Sequence, residues 1–124
     1  MIKLLPMPAD FLVGIEVKGK IEQDDIVPLI DSIRPKFEQH EKIAVYVELA
    51  EWEGISLAAL WEDLKFGLPH VRAVSKKAVV TENKWLTHAV EWADMLFPGV
   101  EAETFSLDEK EQALEWLMLQ DEDD

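Results

Sequence analysis

The chain contains no cysteine. That excludes a disulfide framework and any thiolate site for zinc or an iron–sulfur cluster, and it fits a cytoplasmic address. Long apolar runs are missing too. No segment approaches the roughly 20 apolar residues of a membrane span. The opening MIKLLPMPADF is broken by Pro6 and Pro8 and lacks a small-residue cleavage site, so it does not have the pattern of a secretory signal. Positive charge is scarce: 12 Lys and Arg stand against 26 Asp and Glu, a net charge of −14. Nucleic-acid binding rests mainly on cations that neutralise phosphates, so no nucleic-acid partner is expected. The same field disfavours an anionic membrane surface.

Chemistry-bearing motifs are equally scarce. His40, His70 and His88 are the only histidines, and they fall on three different predicted elements. No His-Glu-x-x-His or carboxylate–histidine cluster occurs, so no metal site is expected. There is no G-x-S-x-G elbow, no P-loop and no glycine-rich turn behind a strand. The carboxylate pairs Asp24–Asp25 and Glu51/Glu53 are assigned to helix capping and loop solvation. The expectation is a non-enzymatic protein with no catalytic residues and no cofactor.

The residues present describe one domain over 1–124, with an acidic, frayed tail at 120–124. Two strands, 2–8 and 11–18, flank a turn made by Pro6, Pro8, Ala9 and Asp10. In the second, Phe11, Val13, Ile15 and Val17 alternate with Leu12, Gly14, Glu16 and Lys18, the period of a half-buried strand. A helix over 24–38 carries Ile26, Ile30, Ile33 and Phe37 on one stripe. Asp24 or Asp25 is placed to cap it, and Pro35 is expected to kink it or end it early. The run KIAVYVEL, 42–49, is almost wholly apolar at Ile43–Val47, which predicts a central strand covered on both faces. A loop, AEWEG, follows. Then come a helix capped by Ser56 and running to about Leu68, a buried strand at Lys76–Thr81, and a third helix capped by Thr81 or Asn83. That helix is expected to reach about Phe97, where Pro98-Gly99 stops it. A strand at Glu101–Phe105 leads to a capping box, Ser106 with Glu109, that opens the last helix. The order ββαβαβαβα predicts an α/β domain with a mostly parallel central sheet and covering helices.

The segments GISLAALWEDLKFGLPH, KKAVVTENKW, AETF and EQALEWL together resemble the SpoIIAA-like family of STAS/SEC14-like domains. The matching positions are Gly54, Trp61, Asp63, Leu64, Lys65, Gly67, His70, Ala78, Val79, Val80, Trp85 and Phe105. The resemblance implies a STAS-like fold and a role in regulation or in binding apolar ligands. Anti-anti-sigma factors of the STAS fold carry a phosphorylatable serine in an Asp-Ser-Ser-Gly motif at the start of the second helix. Here that region is EGISLAAL and the motif is missing. Glu51 and Glu53 would also repel an added phosphate. Control by serine phosphorylation is therefore not expected.

Three features exceed what a plain core needs. Phe66 lies opposite the stripe Leu57, Leu60, Trp61, Leu64 and Leu68, among Glu62, Asp63 and Lys65, so something must cover it (the 69–75 loop, a partner or a ligand) or it stays exposed. On the third helix, Trp85, Leu86, Ala89, Val90, Trp92, Ala93, Leu96 and Phe97 fill an arc of about 160°, wider than one sheet contact requires. Last, Lys65, Arg72, Lys76, Lys77 and Lys84 fall within twenty residues whose only acid is Glu82. These point to a non-enzymatic module that binds a small apolar or amphiphilic anionic ligand between the second and third helices. Trp61, Phe66, Trp85 and Trp92 would supply apolar contact, and Lys65 and Arg72 charge. The alternatives are a regulatory protein–protein module or homodimer that uses the same helices, and peripheral association with a neutral membrane surface.

Overall fold

The computed structural model describes residues 1–19, 22–52, 54–68, 73–95 and 97–119; the side chains of residues 23, 50–52, 54–60, 92 and 95 are not described. Five strands form one sheet in the order β1 (Ile2–Leu5), β2 (Leu12–Gly19), β3 (Ile43–Trp52), β4 (Val74–Thr81) and β5 (Glu101–Ser106). β1 pairs antiparallel with β2, and β2 to β5 are parallel throughout. The helices are α1 (Gln23–Gln39), α2 (Gly54–Gly67), α3 (Leu86–Met95) and α4 (Lys110–Met118). The expected α/β class, element order and mostly parallel sheet are all present.

The sheet grows one strand at a time in one direction, so right-handed crossovers place α1, α2 and α3 on the same face. Their buried residues, among them Ile26, Ile33, Phe37, Leu64, Ala89 and Phe97, share one core with Val13, Ile15, Val45, Val47 and Val79. The opposite face carries a smaller core of Leu12, Ala44, Tyr46, Ala78 and Val80, closed by Ala113 and Leu117 of α4. β3 is apolar on both sides because both cores rest on it: Ile43, Ala44, Val45, Tyr46, Val47 and Leu49 are all buried.

Several local expectations need correction. α1 continues through Pro35 to Gln39. The carbonyl that loses its intrahelical partner belongs to Asp31, an exposed residue that water can serve. Beyond it, the last turn is held by the burial of Phe37 and by Lys36, whose Nζ donates to the Leu12 carbonyl at 2.8 Å. The α1 cap is Glu22, whose backbone N–H donates to Asp25 Oδ2 at 2.9 Å. Asp24 and Asp25 lie inside the first turn, where they complement the positive helix end. β3 stays paired with β2 as far as Gly19↔Trp52, so most of the expected AEWEG loop is strand. α2 accordingly starts at Gly54, which puts Ser56 inside the helix rather than at its cap. Pro6 and Pro8 follow β1 instead of lying in it.

The third helical segment opens with a 3-10 turn at Asn83–Trp85 preceded by Glu82. Thr81 does not stand at the cap position, which Glu82 occupies, and the Thr81 hydroxyl donates to the Leu49 carbonyl at 2.8 Å, tying β4 to β3. α3 ends at Met95, short of the expected Phe97, and Phe97 at φ 49° and Gly99 at φ 85° turn the chain around Pro98. Ser106 and Glu109 form the anticipated box, the Ser106 N–H donating to Glu109 Oε1 at 3.0 Å. A 3-10 turn, Leu107–Glu109, then leads into α4.

On the α4 side, Met7 packs over Gly14 of β2, and a Cβ at Gly14 would displace the Met7 methyl. α4 is fastened by Lys110, whose Nζ lies 2.9 Å from Glu48 Oε1. Burial, followed by the charge and hydrogen bonding of Glu48, pushes the Tyr46 hydroxyl well above the ordinary tyrosine range, so Tyr46 is a proton donor throughout the useful pH range.

The two sides of α4 should respond differently to truncation. Leu117→Ala, which empties a fully buried position, is expected to cost about 2–5 kcal/mol in urea unfolding. Met118→Ala on the exposed side should stay within about 0.5 kcal/mol. Equal losses at both positions would contradict this packing.

Candidate functional site

Trp61 sits half-buried on α2 and meets the ring of Phe97 edge-on, with centroids 5.0 Å apart. That contact joins α2 to the end of the third helical segment and sets Trp61 against the larger core. Phe66, one and a half turns further along, is 95% exposed. It stands on the polar side of α2, where Lys65 pairs with Glu62 at 3.1 Å. Trp85 is partly buried in the 3-10 turn, with His88 beside it at a centroid distance of 6.5 Å and the Lys84 ammonium 5.5 Å above its ring. Trp92 lies on α3, but its side chain is outside the described part. Arg72 and His70 lie outside the described residues altogether.

Among the described residues, the adjacent lysines of the sequence cluster do not share a site in space. Consecutive residues of a strand point to opposite faces, and Lys76 and Lys77 do so. Lys76 goes to the α4 side, where its Nζ lies 5.0 Å from the Trp116 ring centroid and 3.5 Å from the Trp116 carbonyl. Lys77 goes to the other side, 1% exposed, and donates to the Phe97 carbonyl at 2.9 Å. Its ammonium thus satisfies the turn that ends the third helical segment. Burial pulls the Lys77 pKa down and the nearby Asp94 carboxylate partly restores it. Lys84 remains at the surface, 3.5 Å from Glu82. Strand periodicity already carried this dispersal, since two adjacent lysines in a strand cannot share a site.

The topology also marks a crevice at the carboxyl end of β4. β4 leads to α3 on one face, and β5 leads to α4 on the other. Between the carboxyl ends of β4 and β5 the connections therefore diverge, the position where open parallel sheets bind ligands. A hollow of about 210 Å3 lies there, lined by Glu82, Asn83, Leu107 and Asp108. Its carboxylates make it unsuited to an anionic head group. Among the described residues, no three His, Asp or Glu side chains converge to hold a metal ion. No described helix is long and apolar enough to cross a membrane.

The family model for SpoIIAA-like proteins matches residues 12–118. The chain belongs to the SpoIIAA-like family. Among solved structures, it is similar to an uncharacterized protein with a SpoIIAA-like fold from Shewanella loihica PV-4, determined at 2.25 Å. The TM-score is 0.58 and the identity 22%, over 94% of this chain and 92% of that one. At that identity the likeness concerns the fold alone. No curated protein matches the chain.

The burial of Lys77 sets the sign of a pH dependence in this SpoIIAA-like domain. Its folded pKa is below the ordinary lysine value of 10.5, so the folded chain holds this proton less tightly than the unfolded chain. The charged ammonium penalises folding at neutral pH, and the penalty lifts as pH rises through the folded pKa towards 10.5. The melting temperature of the wild type relative to Lys77→Met is therefore expected to climb between neutral pH and that value. A difference that stays flat would show that Lys77 titrates alike in both states.

Proposed function

We propose that this SpoIIAA-like domain is a non-enzymatic regulatory module that contacts a protein partner through the outward side of α2, with Phe66 as the anchor. The observation that carries this reading is an aromatic ring 95% exposed on a helix whose Leu64 is buried. A side chain of that size gains about 1.5–3 kcal/mol when buried, and large aromatics at the centre of a contact commonly dominate its affinity. Its surroundings fit a contact: Glu62, Asp63 and Lys65 supply a polar rim around one apolar ring. Val90 of α3, 60% exposed, offers a second apolar point on the neighbouring helix. The net charge of −14 favours a basic partner surface and repels a second copy.

A second reading is a small amphiphilic ligand held between α2 and α3. It is supported by the half-buried Trp85 with the Lys84 ammonium over its ring, an apolar wall beside a cation. A native mass spectrum of the purified protein separates the two: an adduct of a few hundred daltons supports the ligand, and a bare single chain removes that support.

Phe66→Ser tests the leading reading. The variant should unfold within about 0.5 kcal/mol of the wild type, because the ring touches little in the free chain. Its partner complex, recovered by affinity capture from the native host, should be lost. Retention of the same partner at undiminished yield would remove Phe66 from the contact.

A further inference from the structure

α4 is apolar beyond what its docking requires. Ala113 and Leu117 face the sheet, and Trp116 leans against Phe105 at a centroid distance of 6.3 Å. Outside that contact, a groove of about 680 Å3 runs between α4 and the β1–β2 connection. Pro8, Leu114, Trp116, Met118 and Leu119 line it, with Glu115 among them. Met118 is 41% exposed and Leu119 48% exposed. This groove shares no residue with the α2–α3 surface.

Charge selects the occupant. Lys76 of β4 is already held against Trp116, and from Glu101 to Leu119 the sequence holds six carboxylate side chains and a single lysine. That lysine, Lys110, is engaged with Glu48. Glu111 and Glu115 are exposed on α4 itself. Glu101 and Glu103 fall on the same side of β5 as Phe105, the side that α4 covers. A second copy of the chain would bring the same carboxylates to the same place, and an anionic lipid surface would be repelled by them. An apolar floor with an acidic surround matches a helix that is apolar along one stripe and cationic along its flanks.

We propose that the groove between α4 and Pro8 receives an amphipathic, lysine- or arginine-rich helix of a partner protein. The apolar stripe of that helix would cover Leu114, Trp116, Met118 and Leu119, while its cations meet Glu111 and Glu115. α4 has nine residues and spans about 13.5 Å, enough for about two and a half turns of a partner helix laid along it.

The test uses a synthetic leucine–lysine peptide of about 14 residues, patterned as an amphipathic helix, titrated into the 15N-labelled full chain. Saturable amide shifts are expected over Glu111–Leu119 and at Met7 and Ala9, and they should weaken as salt is raised. Met118→Glu with Leu119→Glu should reduce affinity at least about tenfold, as should the charge reversal Glu111→Lys with Glu115→Lys, which leaves the apolar lining intact. The amide spectrum away from α4 serves as the check on folding for each variant. Equal binding of a peptide with the same composition in scrambled order would overturn the proposal, because charge alone would then explain the affinity. No binding would overturn it as well. Shifts centred on α2 around Phe66, with α4 silent, would overturn the groove while leaving the α2 contact standing.

Discussion

Everything in this domain hangs on β3. A strand buried on both faces cannot satisfy its backbone with water, so it must be hydrogen-bonded on both edges and covered above and below. β2 and β4 supply the edges, α1 to α3 cover one face, and α4 covers the other. The apolar run from Ile43 to Leu49 therefore dictates a three-layer arrangement from within a single segment. The two layers are unequal. Three helices seal one side, whereas a helix of nine residues and the β1–β2 connection are left to close the other. The apolar groove beside α4 is a consequence of that imbalance.

The polar side chains inside the fold serve termini and edges. Lys77 closes the turn at Phe97, Thr81 ties β4 to β3, Lys36 holds the last turn of α1 to Leu12, and Lys110 pins the start of α4 to Glu48. Each joins a segment end to a strand. In an acidic chain this has a further effect. Cations committed to internal partners leave a surface dominated by carboxylates, which biases the protein towards basic partners and away from anionic surfaces.

The candidate surfaces follow from helix and strand periodicity with different clarity. Phe66 was legible as an outlier, because a helical wheel places it opposite Leu64 and Leu68 whatever the rest of the fold does. Its exposure needed the structure, since a loop could have covered it. Trp61 had the same apolar signature as a ligand wall, yet its ring turned out to be engaged by Phe97; two residues 36 positions apart in the sequence give no local sign of meeting. The basic cluster misled because closeness in sequence was taken for closeness in space, while strand alternation sent Lys76 and Lys77 to opposite faces. The α4 groove had no sign in the sequence, because it depends on Pro8 of the β1–β2 connection lying beside Leu114, Trp116, Met118 and Leu119.

The sequence by itself determined the elements and their class. Alternation in β2, the doubly buried run of β3, the Ser106–Glu109 box and the Pro98-Gly99 stop are local signals, read from a few neighbouring residues and enforced by backbone geometry. It also set the net charge of −14. Only the tertiary structure decided where elements end and which surplus apolar groups stay open. β3 ran on to Trp52 because β2 was there to pair with it, and α1 passed Pro35 because Phe37 had a core to enter. Those outcomes rest on contacts between residues far apart in the chain, whose free energy no local pattern contains.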